Sequence, residues 1–209
     1  MVLRFKWQDS IVKTNLKNYI KIFNSKFFSE QQCQLIINSL DDSTRHTHVF
    51  YEAQTNKRKK TGGDPHVSLL KNEKRGSIGN LIQSQWYKVI CAYVLEWINK
   101  KEKMKWFGGF TGYAFPKFLE YNKGTLMKQH CDHIYDLFES PGKPRGIPIL
   151  SIITALNEDY EGGEIILCEK YKYKLKTGET LIFPSNFLYP HEIKKITKGT
   201  RHSMVSWVY

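Results

Sequence analysis

The chain has 209 residues, 41% hydrophobic and 14% aromatic, which suffices to bury one substantial core without disulfide or metal staples. Lysine and arginine exceed acidic residues by a formal net charge of +12, which attracts anionic partners at long range without defining one. Cys33, Cys91, Cys131 and Cys168 include no Cys-x-x-Cys pair, the N-terminus lacks a secretory apolar stretch, and no apolar run reaches the roughly 18 residues of a membrane span. The expectation is a soluble, cytoplasmic protein in a reducing compartment, with no disulfide framework, no thiolate zinc site and no membrane partner.

In chain order, Ser29 with Gln32 forms a capping box, and Cys33, Ile36, Ile37 and Leu40 recur at helical spacing, which predicts a helix over about 29–40. The polar stretch from Asp41 to Arg75 reads as a loop or an irregular hairpin. It holds the basic run Lys57-Arg58-Lys59-Lys60, taken as a solvated turn, and His46, His48 and His66, taken as surface histidines. From Ser77 to about Lys100, Ile78, Leu81, Ile82, Trp86, Val89, Ile90, Tyr93, Trp97 and Ile98 make one apolar stripe, the signature of a helix laid against a sheet.

From about Phe107 the pattern changes to short β-rich segments separated by glycine and proline. The predicted strands are 110–115, 117–121, 149–156, 164–168, 171–175, 180–183, 190–193 and 203–209. Lysines alternate with apolar residues from Lys170 to Lys176, as in an edge strand whose charges discourage stray pairing. The fold class is therefore α+β and mainly β: a jelly-roll double sheet with N-terminal helices packed on one sheet. The whole chain reads as a single domain, with about 1–106 as a helical support region and about 107–209 as the β core.

Within the core, His130 and Asp132 lie two apart, so in a strand they point to one side and can chelate one ion while Cys131 and His133 face away. The rival pair His133 and Asp136 has helical spacing. His191 supplies a third ligand, and two imidazoles with one carboxylate leave open positions on a metal, as in non-haem Fe(II) oxygenases. Arg201 follows ten positions after His191, and a hairpin return would bring it beside the metal on a neighbouring strand, where its planar fork can grip a carboxylate. Arg201, Ser203, Val205 and Trp207 share a strand face that would line the barrel interior, Trp207 forming an apolar wall.

Tyr121-x-x-Gly124, His130-x-Asp132, Asp159-Tyr160-Glu161-Gly162-Gly163-Glu164, Phe183-Pro184-Ser185, Pro190-His191 and Thr197-Lys198-Gly199-Thr200-Arg201 together resemble the catalytic domain of prolyl-4-hydroxylase-like 2-oxoglutarate and Fe(II)-dependent dioxygenases. The likeness covers about residues 108–209 and is greatest to compact bacterial PKHD-type hydroxylases and the similar oxygenases of tailed marine phages. It implies a double-stranded β-helix, cupin-like, in which His130, Asp132 and His191 hold Fe(II). It also implies that Arg201 and Tyr121 bind the co-substrate 2-oxoglutarate, with Ile193 and Trp207 as further pocket residues and ascorbate as an accessory reductant.

The chemistry so implied is hydroxylation of a C–H bond coupled to decarboxylation of 2-oxoglutarate, and the leading substrate is a prolyl residue in a protein or peptide. Three positions depart from relatives: Met127 stands where many carry tyrosine, Arg201 where collagen-type enzymes carry lysine, and Ala155 where some carry an aromatic ring. The segment from Tyr135 to Pro148 reads as a loop, either folding over a bound chain or standing as an exposed insert. The alternatives are an oxygenase acting on nucleic acid, suggested by the +12 charge, or on a small molecule, a zinc hydrolase, and a binding protein that keeps the barrel without turnover.

Overall fold

The computed structural model describes residues 15–52, 57–59, 64–104, 107–132 and 148–209. The rival pair His133 and Asp136, Lys60, and the predicted loop up to Ile147 lie outside them. A 3-10 turn at Leu16–Tyr19 leads into strand β1 (Lys21–Phe23) and helix α1 (Glu30–Asn38). The predicted capping box is formed: Gln32 N–H donates to Ser29 Oγ (3.2 Å) and Ser29 N–H to Gln32 Oε1 (3.0 Å).

The polar stretch that follows is more regular than its composition suggests. Strands β2 (Leu40–Thr47) and β5 (His66–Leu70) pair antiparallel, with a register shift between Asp41 and His46, and β3 (Phe50–Glu52) pairs with β4 (Lys57–Lys59) between them. So the basic run begins in a strand, and His46 and His66 also lie in strands, with half-buried His48 just beyond β2. β2 is an edge strand with little apolar surface to bury, so the two-residue alternation that reveals strands is missing from it. It is held by ladder bonds, by Arg45 paired with Glu120, and by Leu69 N–H donating to Thr44 Oγ1 at 2.9 Å.

Helix α2 (Asn72–Cys91) begins five residues before the predicted start because its first turn, Asn72-Glu73-Lys74-Arg75, is solvated and carries no apolar signal. It continues as a π-helix over Ala92–Lys101, which keeps Tyr93, Val94 and Ile98 buried. Tyr93 Oη–H and Trp97 Nε1–H donate to the Tyr19 and Asn18 carbonyls, both at 2.6 Å, tying this segment to the 3-10 turn.

The remaining strands are β6 (Lys117–Tyr121), β7 (Met127–His130), β8 (Leu150–Ala155), β9 (Glu161–Gly162), β10 (Ile165–Leu167), β11 (Tyr171–Tyr173), β12 (Thr180–Pro184), β13 (His191–Ile193), β14 (Ile196–Lys198) and β15 (Arg201–Val208). The strand predicted at 110–115 reduces to one isolated bridge, Tyr113 to Val208. Gly109 at φ +118° bends the chain before it, and Pro116 after it has no N–H to offer a ladder. The lysine-rich β11 is an edge strand, as its alternation suggests.

A seven-stranded sheet in the order β1-β12-β8-β15-β6-β5-β2 faces a four-stranded sheet in the order β11-β10-β13-β7, forming a double-stranded β-helix. β8 is buried at every position because the large sheet is covered on both faces. Its Leu150 and Ile152, with Phe118, Ile182, Met204 and Val208, pack against Cys33, Ile36, Trp86, Val89, Ile90 and Tyr93 of the helical layer. Its Ile153 and Ala155, with Leu119, Tyr121, Leu181 and Phe183, meet Met127, Ile165, Leu167 and Ile193 of the small sheet. Trp86, fully buried, donates its indole N–H to Thr154 Oγ1 (2.9 Å), so the largest side chain under the sheet is also satisfied.

Candidate functional site

The site lies between the two sheets. In β7 and β13, His130 and His191 are direct cross-strand partners, and their ring centroids lie 4.3 Å apart. β7 stops at His130, so the two-residue strand rule does not by itself aim Asp132, which lies just beyond the strand. The carboxylate still reaches both rings: its Oδ1 lies 3.4 Å from His130 Nε2 and 3.6 Å from His191 Nε2. The three ligand atoms fall within 4.8 Å of one another, close enough to hold one metal ion.

Backbone carbonyls set both imidazoles. His130 Nδ1–H donates to the Lys128 carbonyl (2.8 Å) and His191 Nδ1–H to the Tyr189 carbonyl (3.2 Å), leaving each Nε2 with its lone pair toward the metal position. Ser151 Oγ–H donates to Asp132 Oδ2 (2.5 Å), and since that uses its single proton, Ser185 Oγ–H donates to Ser151 Oγ (2.6 Å). Exposure of the side chains is 27% for His130, 10% for Asp132 and 5% for His191, so the centre opens on the His130 side.

The electrostatics suit a metal. Burial opposes ionisation of Asp132, but His191, His130 and the Ser151 hydroxyl outweigh it and hold the carboxyl well below the usual range. Burial pushes His191 down to about 4, so it is a neutral ligand at pH 7. Burial also acts to lower His130, but its contact with Asp132 prevails and holds it above the ordinary histidine value.

Arg201 lies in the facing sheet, not on a strand next to β13 as a simple hairpin return would have it. The intervening β14 pairs with β9, and Arg201 opens β15 opposite Tyr121 of β6. Its guanidinium is buried, stands 4.9 Å from the Tyr121 ring centroid and donates from Nη1 to Ser203 Oγ (2.8 Å). Its Nε is buried with no hydrogen-bond partner among the described residues, and no carboxylate pairs with the side chain there. A buried cation with an unused donor fits an anionic group such as a carboxylate.

Burial pushes the Tyr121 phenol to about 12, against a lowering by Arg201, so it keeps its proton; that proton points to Met127 Sδ at 3.8 Å. Met127 therefore contacts the pocket tyrosine. Gly162 and Gly163 have φ of +77° and +68°; a Cβ on Gly162 would lie 2.2 Å from the Lys195 carbonyl oxygen, and one on Gly163 would lie 2.5 Å from Ile196 Cδ1 and 3.2 Å from Arg201 Cδ, so Gly163 makes room for the Arg201 stem. Ile193 is buried in the small sheet opposite Met127. Trp207 pairs with Ser151 at the outer end of the inward face of β15, half-buried under the Lys117 ammonium at 4.7 Å. Ser185 belongs to the Phe183-Pro184-Ser185 motif of the sequence, whereas Ser151, which also orients Asp132, is marked there only as a serine within the otherwise apolar run Ile149-Leu150-Ser151-Ile152-Ile153.

Residues 116–209 match the sequence profile of the 2OG-Fe(II) oxygenase superfamily. The match covers a little under half of the chain, and the donor set just described fits both Fe(II) and 2-oxoglutarate. Among curated relatives, a PKHD-type hydroxylase of Prochlorococcus marinus (strain MIT 9312) is 29% identical over 158 residues, covering 72% of this chain and 64% of the relative. One of Psychrobacter sp. (strain PRwf-1) is 39% identical over 98 residues, covering 44% and 37%. The chain thus spans less than two thirds of either relative.

The fold is shared with a viral collagen prolyl hydroxylase of Paramecium Bursaria Chlorella virus-1, solved with 2OG, at a TM-score of 0.58 and 14% identity over 91% of this chain and 94% of that one. It is shared too with a Trichoplax adhaerens prolyl hydroxylase solved with a hypoxia inducible factor peptide, at 0.59 and 17% over 92% and 84%. Among the described residues no helix is long and apolar enough to cross a membrane.

Proposed function

We propose that the chain is a 2-oxoglutarate- and Fe(II)-dependent dioxygenase that hydroxylates prolyl residues in a protein or peptide. His130, Asp132 and His191 hold the metal, with Asp132 oriented by Ser151 and Ser185. Arg201 binds the distal carboxylate of 2-oxoglutarate, the protonated Tyr121 supports it, and Ile193 and Trp207 wall the pocket. When bound, iron with 2-oxoglutarate and dioxygen supplies the oxidation, yielding succinate, carbon dioxide and a hydroxylated carbon, while the protein contributes placement and exclusion of water.

The observation that carries this reading is buried Arg201, with a donor unused among the described residues, beside a Tyr121 that also feels the charge of Asp132, because a zinc hydrolase with the same ligands has no use for it there. The prolyl substrate is supported by the structural neighbours named as prolyl hydroxylases. The test is succinate release by the purified protein with Fe(II), 2-oxoglutarate, ascorbate and oxygen, alone, with proline-containing peptides and with single-stranded nucleic acid. Stimulation by peptide, with one oxygen atom gained on proline by mass spectrometry, is the expected result. Stimulation by nucleic acid alone overturns the prolyl reading, and no release above a His130→Ala control overturns the oxygenase.

A further inference from the structure

Beside β1, an edge strand of the large sheet, an open cleft of about 600 Å³ lies among Lys17, Ile20, Lys21, Trp97, Lys101 and Tyr173. None of the residues assigned above to the metal or the co-substrate lines it. Trp97 is fixed by its indole N–H, which donates to the Asn18 carbonyl (2.6 Å), and the Lys21 and Lys101 ammoniums lie 3.8 Å and 3.9 Å from the centre of its ring. The winding that brings Trp97 and Lys101 here is the π-helix of Ala92–Lys101, a form that is rare and frequent at functional sites.

Three lysines thus line one cleft, two of them on a single aromatic ring. Indole attracts an ammonium but has no net charge to neutralise it. Among the described residues none of the three has a carboxylate at ion-pair distance, and Glu102, the one acid lining the cleft, instead accepts from Asn18 Nδ2 at 3.3 Å. Burial and then the Lys101 charge lower the Lys21 ammonium below its ordinary value, so like charges are held together here at an energetic penalty that a bound anion would relieve. All three cations are lysines, point charges that suit phosphate, whereas a carboxylate is better matched by the planar fork of arginine. The cleft is also larger than a phosphate ion needs, and Ile20 and Tyr173 give it an apolar and aromatic wall.

We infer that this cleft binds a phosphorylated small molecule of mononucleotide size, with its phosphate between Lys21 and Lys101, Lys17 adding to the positive field, and a flat ring against Ile20 and Tyr173. The inference is independent of the substrate proposed for the oxygenase.

The test is calorimetric titration of the full-length protein with adenosine monophosphate (AMP), beside inorganic phosphate, adenosine, hexaglutamate and an oligothymidylate. AMP is expected to bind at least about tenfold more tightly than phosphate or adenosine, because only it engages both the lysines and the apolar wall. Lys21→Gln/Lys101→Gln is expected to weaken AMP binding by about tenfold or more, the scale of a lost charge-assisted contact, while Lys21→Arg/Lys101→Arg keeps most of it. Lys194→Gln/Lys198→Gln removes the same two charges from exposed positions outside the cleft and should leave AMP binding within about twofold of wild type. An equal loss in that control reduces the effect to net charge and overturns the site. Hexaglutamate binding more tightly than AMP, or AMP binding no more tightly than phosphate or adenosine, overturns the phosphorylated ligand. Oligothymidylate binding at the same lysines about tenfold more tightly than AMP overturns the small molecule in favour of nucleic acid. No AMP binding by wild type overturns the inference outright.

Discussion

The two ends of the pocket differ in how fully the protein completes its own polar contacts. At the metal end Asp132 is already met by two imidazoles and a serine hydroxyl, and each imidazole has its outer nitrogen fixed by a carbonyl. At the other end Arg201 is buried with a hydrogen bond to Ser203, a tyrosine face beside it and an Nε that has no hydrogen-bond partner among the described residues. The metal end is held in shape by the hydrogen bonds from the two imidazoles to carbonyls and from Ser151 to Asp132, whereas the arginine end keeps part of its interaction in reserve for an anion. A change at the first should abolish the centre, and one at the second should change the demand for co-substrate while leaving the centre intact.

The largest effect is expected from Asp132→Ala, which leaves two imidazoles facing each other with no carboxylate. Iron content should fall to background and succinate release to the level of the metal-free protein; normal turnover in this variant refutes the triad. Arg201→Ala comes next. Losing a buried charge-assisted contact costs on the order of 2–5 kcal/mol, so the 2-oxoglutarate KM should rise at least about 30-fold while iron affinity stays near wild type. Equal loss of both would erase the distinction between the two ends. Arg201→Lys should fall in between, since it keeps the charge and loses the planar fork. Ser151→Ala acts on the metal end at one remove, and outer-shell partners of this kind are worth about 10- to 100-fold in metal affinity. Titration with Fe(II) or Mn(II) would measure it, and an effect on 2-oxoglutarate affinity alone would place Ser151 at the wrong end.

The same contrast governs what could be read from the chain. The metal end was legible because its ligands come as a short doublet plus a histidine after Pro190, and metal chemistry restricts the residue types severely. Arg201 was legible as a residue, but its strand was misjudged, because the excursion through β14 and the switch to the other sheet leave no periodic trace in ten residues. β8, β12 and β15 announced themselves through apolar runs, while β2 did not, since an edge strand without a buried face has no pattern to display. Ser151 and Ser185 matter through neighbours distant in sequence: Ser185 lies 34 positions from Ser151, and Ser151 lies 19 from Asp132. Spacing along the chain does not carry that information.

The smallest effect is a pH dependence, and it sharpens the comparison because the two metal-end histidines are shifted in opposite directions. His191 is pushed down to about 4 by burial, and so is His48, where burial acts together with Lys117, His130 and His46. Between about pH 6.5 and 4 the unfolded chain therefore binds protons at these positions that the folded chain does not, so metal-free stability falls as pH falls through that window. His130 has the opposite sign: its raised value contributes stability that is complete below about pH 6.5 and is lost as pH rises through its folded-state value. Melting curves of the metal-free protein from pH 7.5 to 4.5 should show the net decline toward acid. His48→Gln, which leaves the ligands in place, should reduce the slope by up to about 1.4 kcal/mol per pH unit in that window. Adding Mn(II) should raise stability most at neutral pH and least near pH 5, because a ligated imidazole must release its proton and His130 holds one more tightly than an ordinary histidine. An equal gain at both pH values would mean that His130 binds no metal.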